Sequence, residues 1–590
     1  MSDMTTPPPD ERQQQIRIWQ QNLNKSLDAH SDLLHSLRSS NYHLAMLQEP
    51  YMDFNNTSRA TPNWHVVYPS RHNSPNETTR AVILVNAALS SCSWSQIPIP
   101  STDVVGIQIH GDFGTIRFIN VYNDCTHNRA LDALHAYMRD PSTKACPAAP
   151  LRYVWQGDFN RHSPLWDEER NAHLFTHAAT RLAQPLLGLL GQYGMKMLLA
   201  KDTPMLRAKA TGNHTRPDNV FCSDDLFDAF ISCQTAPAQR PVKTDHYPIL
   251  SLLDIAPDIE DFTPRRTFRE TDWDEFGTTL CEELSHVPEP EAYASAVELE
   301  RAITQLDAAI DTAIDKHTPL SRPCPHAKRW WTMDLTKAKK AKQKLARLSY
   351  RKWADPTHPI HESYRLARNA YSLQIRKTKA EHWEEWLEGM DEASIWTASR
   401  MALGPAFDGG RCKVPTLRIR HPTTGTILRE ASDNATKSTW LFKEFFPKKP
   451  ATSTVPPDCE YPDPAWRYQE VTEESIHRII RKMQPYKATM SGTAPNCVYK
   501  YNSEVLVPRL AVIYRAIDSL GHYPERWKTT ETVVLRKPGK ADYTDPSAHR
   551  PIVLSAGHAR TYNAIKTEQI VIMAEKRGLI PANHYGGRPG

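Results

Sequence analysis

Short apolar runs rich in β-branched and aromatic residues punctuate the first part of the chain. They read "IRIW" (16–19), "HLAMLQEP" (43–50), "RAVILV" (80–85), "VVGIQIH" (104–110), "TIRFINVY" (115–122), "RYVWQ" (152–156), "DNVFCS" (218–223), "AFISCQ" (229–234) and "YPILSLL" (247–253). Their length and composition predict strands. Between them "SLDAHSDLLHSLRSS" (26–40) and "HAATRLAQPLLGLLGQYG" (177–194) carry apolar positions at helical spacing, which predicts amphipathic helices. Many strands with helices interspersed predict a layered α/β domain over residues 14–255.

From about Phe262 the pattern turns helical. Residues 328–352 hold Lys328, Arg329, Lys337, Lys339, Lys340, Lys342, Lys344, Arg347, Arg351 and Lys352 against one acid, Asp334. Leu335, Ala338, Ala341, Leu345 and Leu348 recur at helical spacing, which predicts an amphipathic helix with its cations on the exposed face. After the breaker "DPTHP" a second helix is predicted from Tyr364, Ala367, Tyr371 and Ile375, completing a helical hairpin. A solvated charged face would explain the cations. The scarcity of acids favours a nucleic-acid surface, where each phosphate contact releases counterions. The helical, basic stretch is read as a connector over 256–446, followed by a proline-rich linker over 447–470. Beyond it "VTEESIHRIIRKM" predicts a helix with Thr472 as N-cap.

At 590 residues the chain is too long for one core. Its composition, 40% hydrophobic and 24% charged, is that of globular protein, and a net charge of +5 places any nucleic-acid signal in local clusters. Ten cysteines occur without a C-x-x-C pair, so no zinc finger or redox motif is visible. The N-terminus "MSDMTTPPPDERQQQ" has no secretory pattern, and its first 13 residues are expected to be disordered. The longest uncharged run, 81–102, is broken by Asn86, several serines, Pro98 and Pro100 and does not read as a membrane span. The chain is expected to be intracellular, with the nucleus as its site of action and no membrane partner.

The candidate chemistry lies at strand ends. Glu49 closes "LQEP", Tyr122 and Asn123 close "VYND", Asp158 and Asn160 sit in "QGDFNRHSPLW", Asp218 opens "DNVFCS", and Asp245 and His246 precede "YPILSLL". Singly, each is explained by a turn or an exposed strand end. Together they are harder to explain so, because loops at one edge of a layered sheet can bring them to one place. Glu49, Asp158 and Asp245 offer oxygens suited to Mg²⁺. His246 could be oriented and charged by Asp218. Asn22 and Asn160 add neutral donors and acceptors. The inventory suits metal-assisted attack of water on a phosphodiester.

The ordered set "QQNLNKS", "LQEP", "INVYND", "QGDFNRHSPLW", "RPDNVF" and "TDHYPI" resembles the endonuclease/exonuclease/phosphatase superfamily, and most of all the apurinic-type endonuclease domain of non-LTR (LINE-type) retrotransposons. The resemblance implies a four-layered α/β sandwich, two packed sheets flanked by helices, with Mg²⁺ (Mn²⁺ as the alternative) as cofactor and DNA as partner. It implies Glu49 as the principal metal ligand with Asn22 and Asp245 near the ion. Asp158 would position or deprotonate the attacking water, and Asn160 would hold the phosphate. His246, paired with Asp218, would stabilise charge on the phosphoryl oxygens, and Tyr122 would sit against the phosphate or leaving group. His162 and Trp166 match the retroelement form of the motif as candidate substrate contacts, although for Trp166 a core position is the favoured reading. Further on, "VVLRKPGKADYTDPSAHRPIVLSAGHAR" resembles the first blocks of the reverse transcriptase fingers, where Lys537 and Arg550 match cations that contact nucleotide phosphates. The preceding "YKATMSGTAPNCVYK" resembles the block upstream but differs at Met490 and Thr493. Residues 471–590 therefore read as partial fingers without palm or catalytic aspartates, so no polymerase activity is expected from this chain alone. Element RNA is a candidate partner for the basic helices 328–352. Two alternatives share these motifs: a phosphatase or phosphodiesterase of the same superfamily, and a non-catalytic nucleic-acid-binding remnant.

Overall fold

The computed structural model describes residues 15–584 apart from 73, 75–76, 142–150, 209–211, 260–265, 321–329, 391–394, 396–397, 400–413, 422, 432, 449–459, 461–465, 467, 538–539, 541 and 582. The N-terminal 13 residues, Lys328, Arg329 and most of the expected linker thus lie outside the described residues. Two compact units form, Met1–Phe262 with Cys324–Thr439, and Thr263–Pro323 with Trp440–Gly590.

The strands of the first unit are β1 (Ile16–Asn22), β2 (Leu44–Gln48), β3 (Trp64–Val67), β4 (Ala81–Asn86), β5 (Trp94–Ile97), β6 (Val104–Gly111), β7 (Gly114–Tyr122), β8 (Leu151–Asp158), β9 (Met195–Met197), β10 (Leu206–Arg207), β11 (His214–Thr215), β12 (Asp218–Ser223), β13 (Phe230–Thr235) and β14 (Ile249–Leu253). Two six-stranded sheets result, ordered β13-β14-β1-β2-β4-β3 and β5-β6-β7-β8-β12-β9. Each holds one parallel pair near its centre, β1 with β2 and β7 with β8, and is otherwise antiparallel. The helices are α1 (Leu27–Ser36), α2 (Arg129–Arg139) and α3 (His177–Gln192).

Alternation along the strands explains the layers. Ile18, Met46 and Ile83 of one sheet share a core with Ile107, Phe118, Val154 and Val220 of the other. Their neighbours point the opposite way: Trp19, Leu47 and Leu84 pack with Leu33 of α1, while Ile119, Trp155 and Phe221 pack with Leu134 of α2 and Leu186 of α3. Both faces of the central strands are therefore buried, which is why their sequences read as continuous apolar runs. Each fully buried aliphatic or aromatic side chain stabilises by roughly 1.5–3 kcal/mol. The unit is the four-layered sandwich that the resemblance implied, and all nine predicted strands occur in it. The short strands β3, β5, β9, β10 and β11 were not predicted. "WSQI", for example, keeps only Ile97 buried and so leaves little apolar pattern to read. Helix α2 was also not predicted, although Ala130, Leu131, Leu134 and Met138 repeat at helical spacing and are buried.

Past β14 the chain contributes α4 (Trp273–Ser285) and α5 (Ala296–His317) to the second unit, then α6 (Met333–Arg351) and α7 (Ile360–Glu388) to the first. The stretch expected as a single connector is thus divided between the units. Helix α6 also departs from the predicted arrangement of charge. Lys342 is 2% exposed and lies on the packed face with Leu335, Ala346 and Ser349, while Ala341 and Leu348 face outward. The reason is electrostatic: Lys342 Nζ donates to the Arg240 carbonyl at 2.9 Å and lies 3.6 Å from the buried Asp32 carboxylate. Lys337, Lys340, Lys344, Arg347, Arg351 and Lys352 remain exposed. A two-stranded hairpin, β15 (Leu417–Arg420) with β16 (Ile427–Ala431), follows.

The second unit continues with α8 (Glu473–Lys482), α9 (Ser503–Leu520), the hairpin β17 (Glu531–Arg536) and β18 (His549–Leu554), and α10 (Gly557–Lys576). Its core joins Phe276, Leu306 and Ile310 to Ile480, Leu510, Tyr514 and Trp527. The predicted cap on α8 is present, Thr472 accepting from Ser475 N–H at 3.2 Å. No helix among the described residues is long and apolar enough to cross a membrane.

Candidate active site

Strand direction gathers the polar residues. Parallel β7 and β8 end together, with Tyr122 opposite Asp158. Antiparallel β12 begins where β8 ends, so its first residue, Asp218, also faces Asp158. In the other sheet parallel β1 and β2 end with Asn22 opposite Gln48, and Glu49 follows. Antiparallel β14 starts beside the end of β1, which brings Asp245 and His246 to the same edge. The tight entry to Asp158 needs glycine: Gly157 has φ +149°, and a Cβ there would lie 1.9 Å from the Val121 carbonyl oxygen.

Side chains then join the two sheets. Asn22 Nδ2 donates to Asp158 Oδ2 at 2.9 Å, and Gln20 Nε2 donates to Asp218 Oδ1 at 3.4 Å. His246 Nδ1 donates to the other oxygen of Asp218 at 2.6 Å, with both side chains almost fully buried. Ligand atoms of Asp158, Asp218 and His246 all lie within 4.8 Å of one another. Asn160 donates its amide N–H to Asp158 Oδ1 at 3.1 Å and its side-chain Nδ2 to the Asn123 carbonyl at 2.8 Å. Asn24 Nδ2 donates to Asp245 Oδ1. Lys25 Nζ lies 3.3 Å from Glu49 Oε1. Asn24, Lys25, Glu49, Asn160 and Lys243 all have positive φ, between +44° and +65°. Such left-handed residues cost of order 1–3 kcal/mol each, and here they concentrate in the loops around the carboxylates.

The electrostatics follow from burial and charge. Burial and the neighbouring Asp218 push the Asp158 carboxyl up to about 7, against the pull of His246, Asn22 and the Asn160 amide. Burial opposes charge on His246, but the Asp218 carboxylate, with Asp158 and Asp245 behind it, raises the imidazole to about 9. Tyr122 is held well above the ordinary phenol range by burial and then by the nearby Glu49 and Asp158. Its ring is covered by Arg80, 4.8 Å from the centroid, whose guanidinium is fixed by Asp103 at 2.7 and 2.6 Å and by Asp124 at 2.7 Å.

Glu49, Asp158, Asp218 and Asp245 gather hard oxygen donors at this edge, with the His246 imidazolium and Lys25 beside them and Arg161 and Arg240 further back. Buried Gln20 Oε1 and Asn123 Oδ1 accept no hydrogen bond there. The buried Asp158, Asp218 and His246, with ligand atoms within 4.8 Å of one another, suit a divalent cation.

Not every predicted residue belongs to the cluster. Trp166 is 1% exposed, packs edge-on to Phe221 and donates Nε1–H to the Arg161 carbonyl at 3.1 Å, so it is a core residue with no surface for substrate. His162 stays partly exposed and pairs with buried Asp167 at 3.0 Å. Lys537 and Arg550, expected in the reverse transcriptase fingers and not at this site, belong to the β17–β18 hairpin of the second unit, where Lys537 Nζ donates to the Ser547 carbonyl at 2.9 Å. Sequence reasoning missed Arg80, Lys25 and Asn120. The last is fully buried inside an apolar run and donates across the sandwich to the Leu47 and Val82 carbonyls at 2.9 and 2.8 Å. An amide in the middle of "RFINVY" was the available signal, since a buried amide needs partners.

Residues 116–250 match the family model described as endonuclease-reverse transcriptase. The RNA-directed DNA polymerase from mobile element jockey of Drosophila melanogaster is 20% identical over 539 residues, 89% of this chain and 55% of that protein. The putative 115 kDa protein in type-1 retrotransposable element R1DM, also of Drosophila melanogaster, is 22% identical over 550 residues, 90% of this chain and 50% of that protein. The chain thus spans about half the length of the curated relatives it matches. Among solved structures, the endonuclease domain of TRAS1, a telomere-specific non-LTR retrotransposon, aligns with 98% of its length and 40% of this chain at 20% identity and a TM-score of 0.31. Along about nine-tenths of its length the chain is thus similar to proteins of mobile elements, and the match to the endonuclease-reverse transcriptase family model falls within the first unit, on the two packed sheets that carry the polar cluster.

Proposed function

We propose that the first unit is a divalent-metal-dependent DNA endonuclease that hydrolyses a phosphodiester and leaves a 3′-hydroxyl able to prime reverse transcription. The observation that carries the reading is the buried Asp218–His246 pair facing Asp158 across the joined ends of the two sheets. The names of the relatives, which concern mobile elements and RNA-directed DNA polymerases, support a nucleic acid as the partner and DNA as the substrate.

In this reading Asp158 orients the attacking water and takes its proton, while Asn160, fixed through Asn123, holds a non-bridging phosphate oxygen. His246, kept cationic by Asp218, stabilises charge growing on the phosphoryl oxygens. As water oxygen bonds to phosphorus, the P–O3′ bond breaks, and O3′ leaves beside Tyr122 as an oxyanion that takes a proton from solvent to become the 3′-hydroxyl. Mg²⁺, with Mn²⁺ as substitute, would neutralise charge on the phosphate and leaving oxygen. The convergence of ligand atoms from Asp158, Asp218 and His246 within 4.8 Å supports a bound cation, and Glu49, Asn22 and Asp245 are the further residues proposed to hold it.

The test is relaxation of supercoiled plasmid by the full chain with Mg²⁺ and with chelator. Nicking is expected with Mg²⁺ only, and the Glu49→Ala and His246→Ala variants are each expected to lose at least about 100-fold in rate. Undiminished nicking by either variant would overturn the assignment. Comparable turnover of soluble phosphate monoesters would favour a phosphatase instead.

A further inference from the structure

The turn that carries Asp245 and His246 has no regular secondary structure. It runs from Arg240 to the start of β14, includes Lys243 at φ +65°, and is nevertheless almost entirely buried at Val242, Thr244 and His246. One side of it is held by β1, through Thr244 Oγ1 to the Asn22 carbonyl at 2.8 Å and Gln21 Nε2 to the His246 carbonyl at 2.9 Å. The other side is held by the α6–α7 hairpin, which lies outside the residues matched by the family model.

Lys342 of α6 is the pivot of that second side. Its Nζ donates to the Arg240 carbonyl at 2.9 Å and lies 3.6 Å from Asp32 Oδ2. The same Asp32 oxygen accepts the Val242 N–H at 3.0 Å, and Asp32 Oδ1 accepts the Tyr371 hydroxyl of α7 at 3.3 Å. The Arg240 side chain lies between the rings of Tyr247 and Tyr364, 4.8 and 5.1 Å from their centroids, and donates to the Asp245 carbonyl at 3.3 Å. The cation on α6 and the hydroxyls on α7 therefore bond to the backbone flanking Asp245, or to the groups that fix it. A solvated nucleic-acid surface needs no buried lysine with two oxygen partners, whereas a clamp does.

Resting on the nuclease reading above, we propose that the α6–α7 hairpin is part of the catalytic apparatus, with Lys342 a positioning residue that fixes the Asp245–His246 turn. The basic helix is then divided by face: Lys342 serves the site from the packed side, while Lys340, Lys344, Arg347, Arg351 and Lys352 face solvent and Lys337 pairs with Asp334. Loss of groups that orient a site commonly costs about 10- to 100-fold in activity.

The experiment compares the full chain with Lys342→Met and Tyr371→Phe variants in two measurements, plasmid-nicking kinetics and amide hydrogen exchange of the peptide spanning 240–248. Lys342→Met is expected to lower kcat about 10- to 100-fold with KM within about twofold, and to speed exchange of the turn while leaving β7 and β8 protected. Tyr371→Phe, which removes one hydroxyl and keeps the packing, is expected to move both readouts the same way by less; it carries the test if Lys342→Met does not fold. Unchanged exchange of the turn in folded variants, or a loss confined to KM, would overturn the inference. A parent chain that fails to nick sinks the nuclease reading but not the clamp, because the exchange comparison needs no activity.

Discussion

His43, at the start of β2, offers a test of how the first sheet is held together. Its ring is buried, Nδ1 accepts the Arg17 N–H at 3.0 Å, and its own N–H donates to the Arg17 carbonyl at 2.8 Å. Burial, with the nearby Arg17 cation, lowers the imidazole from 6.5 to about 4. Between these values the unfolded chain binds the proton and the folded chain does not. The stabilisation is therefore complete above pH 6.5, declines as the pH falls, and is exhausted by about pH 4. At pH 5 the difference amounts to about 2 kcal/mol, approaching about 3 kcal/mol at the lower limit. The informative variant is His43→Asn, whose side-chain oxygen can stand where Nδ1 accepts the Arg17 N–H but which does not titrate. Urea unfolding of both proteins, followed by exchange protection of β1 and β2, is to be measured at pH 7 and pH 5. The variant is expected to start somewhat less stable at pH 7 because it loses ring packing. It is then expected to lose about 2 kcal/mol less than the parent on acidification. An equal loss in both proteins would mean that the imidazole does not stay neutral in the fold, and the account of its burial would be wrong.

Further outcomes follow from single contacts. Gly157→Ala puts a Cβ 1.9 Å from the Val121 carbonyl and is expected to cost more than about 4 kcal/mol, read as loss of a cooperative melting transition. Trp166→Ala is expected to destabilise by about 3–5 kcal/mol while leaving the nicking rate per folded molecule within about threefold, because the side chain is sealed in the core. Thr472→Ala removes the α8 cap and is expected to cost about 1 kcal/mol in denaturant unfolding of the second unit.

How much of this was legible in the sequence depended on whether the cause was local. The central strands were readable because two-sided burial demands unbroken apolar runs, and β14 because its buried positions alternate; the residues at their ends stood out as polar against them. Asp218 and His246 are 28 positions apart, yet their pairing was inferable from the resemblance; the 2.6 Å contact arises because β12 and β14 start at the same edge. The role of Lys342 was not legible. Its place in a run of lysines made it look like one more exposed cation, and the partners that draw it inward, Asp32 and the Arg240 carbonyl, lie 310 and 102 positions away. Nothing periodic marks such a contact. Trp166 shows the converse case, where a motif residue beside the site is held by the core and not by the chemistry.

Seen as a construction, the site depends on two parallel strand pairs that end at one edge of the sandwich. Parallel neighbours present their C-terminal ends side by side, so β1 with β2 and β7 with β8 deliver Asn22, Glu49, Tyr122 and Asp158 without long loops. Antiparallel β12 and β14 then add residues from their starts, Asp218 and the Asp245–His246 turn, to the same edge. What strand geometry alone cannot do is align the two sheets with each other to within a hydrogen bond. That alignment comes from polar side chains that cross between them: Asn22 to Asp158, Gln20 to Asp218, His246 to Asp218 and, deeper, Asn120 to the backbone of β2 and β4. An apolar interface tolerates small slides between sheets, but a buried amide or carboxylate with fixed partners does not, because each broken bond leaves a desolvated group costing about 1–3 kcal/mol. The buried polar groups around the site therefore serve its precision as well as its chemistry, and replacing Asn120 with leucine should loosen the site even though it touches no reacting atom.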